Sequence, residues 1–297
     1  MPRGNIFILP NKINLMQLWI KILLFAVLFL VLFSLLTFYM SIHPVKIITN
    51  LEPHDLGLEY EDINFKSADG VGLHGWLIPN NNTKAAIIVM HGYPADKANL
   101  LGIAEFLAKD FNVLLFDFRS FGKSEGKYTT VGCLEKKDLS GAINYLEKEK
   151  NITKIGLYGF SLGGAVALMA SHKNIKAIVT DSAYAKLGNM IKHMYSPFFI
   201  LKYPLAYLTR FYGILFLRID VDDVNPVDDI TNIKVPILLI HAGKDSQIPV
   251  GEVYLLHEAN KNSEMWIIEN ADHGMGHAVN PEEYEERVVG FFKGNME

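Results

Sequence analysis

The chain has 297 residues with 28 basic and 32 acidic side chains, a net charge of −4 at neutral pH, and a single cysteine, Cys133. A mildly acidic chain with no basic cluster excludes recognition of nucleic acid by charge, and one cysteine excludes an internal disulfide. Hydrophobic residues make up 50% of the sequence, enough for one large core, and no repeat or low-complexity tract divides it.

The first predicted element is an apolar helix. Ile22 to Met40 carry no charge, with Ser34 and Thr37 as the only polar interruptions. Such a stretch is about 28 Å long as a helix, enough to cross a hydrocarbon core. Trp19 and Tyr39 stand near its two ends, where amphipathic rings favour the membrane interface. A cleaved signal peptide would show a shorter apolar run and an Ala-x-Ala-like site; Leu35, Leu36, Phe38, Tyr39 and Met40 offer none. The pattern predicts a tail over 1–17, a transmembrane anchor over 18–40, a linker over 41–56 and a single domain over 57–297. Arg3, Lys12 and Lys21 precede the anchor's apolar run without any acid, whereas Lys46 is outnumbered by Glu52, Asp55 and Glu59 after it. The positive-inside rule therefore puts the tail in the cytoplasm and the domain on the far side. Because the anchor is expected to contribute nothing to the sheet or to the catalytic residues, deletion of residues 1–40 is expected to leave the domain folded and active.

Beyond the anchor, Glu59–Phe65 and Leu73–Leu77 read as strands joined by the turn Ser67-Ala68-Asp69-Gly70. The pattern then alternates: strand 85–90, helix 97–109, strand 112–116, helix 131–149, strand 154–158, helix 162–172, strand 176–180. Alternation of this kind predicts a mostly parallel sheet with helices on both faces, an α/β fold. It breaks between Val179 and Leu238, a connection too long for a simple loop. Within it, Met190–Leu217 is rich in aromatics, is charged only at Lys192, Lys202 and Arg210, and is broken by Pro197 and Pro204. Residues 183–230 are expected to form a helical apolar lid, with Phe198, Phe199 and Tyr203 supplying a pocket for substrate. A helical pair packed on the sheet and a surface dipping into a bilayer are the competing readings.

The chemistry is concentrated at strand ends. Gly159-Phe160-Ser161-Leu162-Gly163 follows the strand Lys154–Tyr158 and precedes the helical run Ala165–Ala170, so a serine stands at the apex of a strand–turn–helix. A serine hydroxyl needs a base, and the base needs an orienting acid. The strand Pro236–Ile240 runs into Gly243-Lys244-Asp245. After the helix Val253–Ala259, the strand Met265–Ile268 runs into Ala271-Asp272-His273, and Glu282–Lys293 closes the chain as a helix. Ser161, Asp245 and His273 are thus a candidate triad in the order Ser, Asp, His, collected where ligands gather in open α/β sheets. Asp228 and Asp229 are the rival acids and His277 the rival base; Asp272 is expected to point away from His273. The oxyanion hole is assigned to the backbone N–H groups of Leu162 and Tyr93, the latter after the strand Ala85–Met90. His91 is read as a brace for that loop.

With these segments in hand, the sequence resembles the α/β-hydrolase superfamily, in its branch of esterases, lysophospholipase-like and serine aminopeptidase-like enzymes. The resemblance is carried by His91-Gly92-Tyr93, Asp117-Phe118-Arg119-Ser120-Phe121-Gly122-Lys123-Ser124-Glu125-Gly126, Gly159–Gly164, Gly243-Lys244-Asp245 and Asp272-His273-Gly274. It implies a serine hydrolase fold, with Asp117 and Arg119 fixing a loop rather than taking part in chemistry. A serine at the elbow argues against the dehalogenase branch. The expected activity is cleavage of a carboxylic ester, small or lipid-like, without metal or organic cofactor. A peptidase or amidase, and a non-catalytic lipid- or partner-binding relative, are the alternatives.

Overall fold

A computed structural model describes residues 15–296. Its centre is an eight-stranded sheet of β1 (Glu61–Lys66), β2 (Gly72–Ile78), β3 (Ala85–Met90), β4 (Asn112–Phe116), β5 (Lys154–Phe160), β6 (Ile175–Asp181), β7 (Ile237–Ala242) and β8 (Glu264–Ile268), in the spatial order β1-β2-β4-β3-β5-β6-β7-β8. The pairs β1–β2 and β2–β4 are antiparallel, and every pair from β4–β3 onward is parallel. Every residue of β3, β4 and β7 is buried. Strands covered on both faces read as continuous apolar runs, as these do.

Helices cover both faces of the sheet. Leu139, Ile143 and Leu146 of α3 (Glu135–Glu149) and Val166 of α4 (Leu162–Leu168) enter one core. Ala104 and Leu107 of α2 (Leu101–Ala108), with Val288 and Phe292 of α10 (Pro281–Met296), enter the other. Two helix starts differ from the sequence pattern. Lys97–Leu100 is a 3-10 turn leading into α2, and α3 begins at Glu135 rather than at 131. The second difference has a local cause. The buried Glu135 carboxylate accepts hydrogen bonds from the N–H groups of Thr130 and Gly132 and from the hydroxyls of Thr129 and Thr130. That capture holds residues 129–132 as a turn, with Val131 at φ +49° and Gly132 at φ +118°.

The connection from β6 to β7 runs between Asp181 and Ile237. It contains α5 (Leu187–Met194), a 3-10 segment Ser196–Leu201, α6 (Lys202–Tyr212), a π-turn Gly213–Leu217 and the short α7 (Pro226–Asp229). The apolar helix α1 runs from Leu15 to Ile42, two residues past the expected end of the anchor. Among the described residues it is the one helix long and apolar enough to cross a membrane. Its last turns are packed rather than free: Phe38 and Ile42 are buried with Tyr212. Residues 43–49 continue along the domain, where Lys46 Nζ donates to the Ser124 carbonyl and Thr49 Oγ1 to Asp96. The α8 (Gly251–Ala259) and α9 (Gly276–Val279) helices complete the chain.

Candidate active site

β5 delivers Ser161 to the carboxyl edge of the sheet at φ +52°, ψ −112°. A non-glycine residue in this region stores about 1–3 kcal/mol of strain and persists only where its surroundings hold it. The Ser161 N–H donates to the Asp181 carbonyl at 2.8 Å, which fixes the turn on the neighbouring strand. The flanking glycines are dictated by packing. A Cβ on Gly159 would lie 2.3 Å from the Gly163 carbonyl oxygen, and one on Gly163 would lie 2.2 Å from the Met90 carbonyl oxygen.

Asp245 follows β7 and His273 follows β8, and the two side chains meet. His273 Nδ1 lies 2.8 Å from Asp245 Oδ2. A carboxylate only accepts, so Nδ1 carries the proton and Nε2 keeps a lone pair. Asp245 Oδ1 accepts the N–H groups of Gln247 and Ile248 at 2.9 and 2.7 Å. Burial pushes the Asp245 carboxyl upward, but the His273 and backbone hydrogen bonds outweigh it and hold the group below the usual carboxylate range. It therefore stays ionised opposite the imidazole. Phe160, beside the serine, packs on the His273 ring with centroids 4.8 Å apart. No hydrogen bond joins Ser161 Oγ to His273 among the described residues; such contacts tighten when substrate binds.

The rival residues are occupied elsewhere. His277 Nε2 pairs with Glu285 Oε1 at 3.0 Å, toward α10. Asp228 pairs with Asn225 in a surface turn. Asp272 accepts the N–H groups of Ser246 and His273 at 2.8 and 2.7 Å, tying the loops of Asp245 and His273 together. The fully buried His91 donates from Nδ1 to the Gly92 carbonyl and accepts the Phe118 N–H at Nε2. Both bonds need the neutral ring, and burial accordingly pushes its pKa down. Asp117 is held by Lys97, and Arg119 by Asp69 and Asp138, so both members of that segment are fixed in loop packing. A buried relay that the sequence reading missed lies beneath the elbow, where Tyr284 Oη donates to Asp181 Oδ2 at 2.7 Å and bonds Tyr158 Oη at 2.7 Å.

Above Ser161 lies a cavity of about 350 Å³, within the range of small-molecule sites. Tyr93 and Leu162 share its wall with Ser161. Leu162 is the first residue of α4, where a helix leaves its N–H unsatisfied. The lid contributes Met190, Met194 and Leu217, and the turn held by Glu135 contributes Thr130 and Val131. The expected pocket residues Phe198, Phe199 and Tyr203 are not in this wall. Phe199 is 83% exposed and Tyr203 50%, while Phe198 packs its ring edge on Phe33 of α1. The 3-10 segment carries them to the outer surface of the lid, so α5 and the π-turn line the cavity instead. The remaining wall is a surprise: Phe38, Ser41 and Ile42 of α1 line the same cavity as Ser161. A signal for this was present in Ser34, Thr37 and Ser41, whose spacing puts three hydroxyls on one face of an otherwise apolar helix.

An eight-stranded, mostly parallel sheet carrying a strained serine after β5 and an Asp–His pair after β7 and β8 defines an α/β hydrolase. The profile of the alpha/beta hydrolase fold matches residues 85–213. The esterase Pf2001 of Pyrococcus furiosus superposes with a TM-score of 0.72 at 32% identity, covering 86% of this chain and 99% of that one. The chain is 28% identical over 251 residues to YqkD of Bacillus subtilis, an uncharacterised protein, covering 80% of this chain and 82% of that protein. It is 26% identical over 215 residues to bem46 of Schizosaccharomyces pombe, covering 69% of this chain and 67% of that protein. The chain belongs to the α/β-hydrolase family.

Proposed function

We propose that the protein is a membrane-anchored serine hydrolase that cleaves carboxylic esters. The observation that carries this reading is the Asp245–His273 pair on the loops after β7 and β8, at the same sheet edge as the strained Ser161. Ser161 Oγ attacks the ester carbonyl as His273 Nε2 takes its proton, and the N–H groups of Tyr93 and Leu162 receive the charge on the carbonyl oxygen. The imidazolium returns its proton to the departing alkoxide as the tetrahedral intermediate collapses to an acyl-serine and an alcohol. Water then enters, His273 deprotonates it, and the acid leaves as Ser161 regains its proton. Asp245 holds the imidazole in one tautomer and stabilises its charged form.

The ester assignment over an aminopeptidase rests on the cavity lining. Among the described residues no Asp or Glu lines the cavity, and a substrate ammonium group would need one. The similarity to an esterase points the same way. The apolar α1 is read as the anchor, with the N-terminus cytoplasmic and the hydrolase domain on the opposite side. Turnover of p-nitrophenyl acetate by the purified protein, abolished in Ser161→Ala, is the expected result; undiminished turnover by the variant removes Ser161 as the nucleophile.

A further inference from the structure

We propose that the membrane helix is part of the substrate site: its last turn walls the catalytic cavity, and the groove between it and the lid receives the acyl chain of an ester lodged in the bilayer. This rests on the reading of Ser161 as an ester-cleaving nucleophile. Three observations on the helix, the lid and the cavity carry it.

First, the end of α1 is fixed in place. Its Ile42 carbonyl accepts the Thr129 N–H at 2.9 Å, which ties it to the turn beside the cavity. Ser34 Oγ and Tyr212 Oη are 3.2 Å apart, and Thr37 Oγ1 joins Tyr195 Oη, which in turn bonds Thr209 Oγ1. A helix serving only as a tether would not require hydroxyls paired to the lid. Buried polar contacts of this kind fix register, because breaking one leaves its partner unsatisfied.

Second, a separate groove adjoins the catalytic cavity on the α1 side. This groove of about 530 Å³ lies between α1 and the π-turn, bounded by Leu32, Leu36, Tyr39, Tyr128 and Phe216. Phe38, Ile42 and Leu217 bound both spaces. They form a thin apolar partition between the nucleophile and the groove.

Third, the depth is right. Trp19 and Tyr39 stand twenty residues apart, about 30 Å along a helix, which matches a hydrocarbon core with an aromatic ring at each boundary. Tyr39 at the boundary puts Phe38–Ile42 at the level of the head groups, where the ester bond of a lipid lies. The lid presents exposed Phe199, Ile200, Tyr207, Phe211, Leu215 and Phe216 on its outer surface. Contiguous apolar surface beside a spanning helix is shielded from water by lipid. When the shared side chains Phe38, Ile42 and Leu217 turn aside, an acyl chain passes from the bilayer along the groove, and the carbonyl reaches Ser161 without the chain crossing water.

The test uses full-length protein in phosphatidylcholine nanodiscs and a hexadecyl fluorophosphonate bearing a diazirine at the chain end. After Ser161 displaces fluoride, photolysis marks where the chain lies. Cross-links within residues 32–42 and 213–217 are expected. Labelled Ser161 with cross-links confined to α5, or to lipid alone, overturns the groove while leaving the serine assignment intact. An unlabelled Ser161 fails the catalytic reading and this inference with it. In a second measurement, Ser41→Phe places a ring in the cavity. It is expected to lower the ratio of kcat/KM for a dodecanoyl ester over an acetyl ester at least tenfold; an unchanged ratio contradicts the proposal.

Discussion

Ser161, Asp245 and His273 stand on short loops at the ends of parallel strands: the Ser161 N–H donates to the Asp181 carbonyl, and the loops of Asp245 and His273 are joined by the Lys244 N–H on the Ala271 carbonyl and the Ser246 N–H on the Asp272 carboxylate. The wall around Ser161 draws on α1, α5 and the π-turn, and the 3-10 segment Ser196–Leu201 that follows α5 leaves Phe199 and Ile200 83% and 78% exposed. One half of the cavity is rigid, buried and locally encoded. The other half is assembled from segments far apart in sequence and remains largely apolar on the outside. On the proposed function, the difference teaches that chemistry and substrate choice are separable here: the sheet edge would set what bond is broken, and the helix–lid pair what molecule reaches it.

Substitutions at the sheet edge should give the largest effects. Ser161→Ala is expected to lower kcat for a short ester by about 10⁵-fold or more while the circular dichroism spectrum is retained, since a triad acts as a unit. Asp245→Asn should lower it by about 10⁴-fold, because the imidazole loses its tautomer and the partner for its charge. Equal loss in Asp228→Asn, with Asp245→Asn active, would move the acid to the wrong end of the lid. Gly163→Ala forces a methyl group against the Met90 carbonyl, and is expected to cost about 3 kcal/mol or more in thermal or urea denaturation.

The lid's outer surface should respond far less. Phe199→Ser alters a residue that is 83% exposed, so the stability change should stay within about 0.5 kcal/mol. A large destabilisation there would show that the lid is as tightly held as the sheet edge, and the contrast between the halves would collapse.

Acidification offers a further check on the rigid half. Buried His91 prefers the neutral ring when folded and has an ordinary value of 6.5. Below that value the unfolded chain binds a proton that the folded ring refuses, so this contribution to stability is full above 6.5 and is lost as the pH falls below it. In imidazole 15N spectra of the folded protein, His91 should therefore titrate below 6.5; titration at or above 6.5 would contradict the neutral brace seen beside Gly92.

The sequence made the rigid half legible because its constraints are local. Gly159 and Gly163 bracket Ser161 where no side chain fits, Asp245 follows a fully buried strand, and His273 follows a recognisable apolar one. The wall was not legible for a physical reason: α1 is apolar on all sides, so no amphipathic stripe marks the face that packs. Phe38 meets Tyr212, a partner far along the chain, and only the hydroxyl row Ser34, Thr37, Ser41 hinted at which side it would be. For the same reason aromatic content alone put the pocket at Phe198, Phe199 and Tyr203. Their place on the outer surface follows from the 3-10 kink at Phe199, φ +48°, which no composition reveals. Nothing in the apolar run placed the anchor beside Ser161, yet Phe38, Ser41 and Ile42 line the same cavity.

The most direct test of the central claim is to react the full-length protein with a short-chain fluorophosphonate and map the adduct by mass spectrometry. The account predicts a stoichiometric phosphonyl adduct on Ser161, formed far more slowly in Asp245→Asn. No adduct, or an adduct on a different serine with Ser161 unmodified, would contradict it.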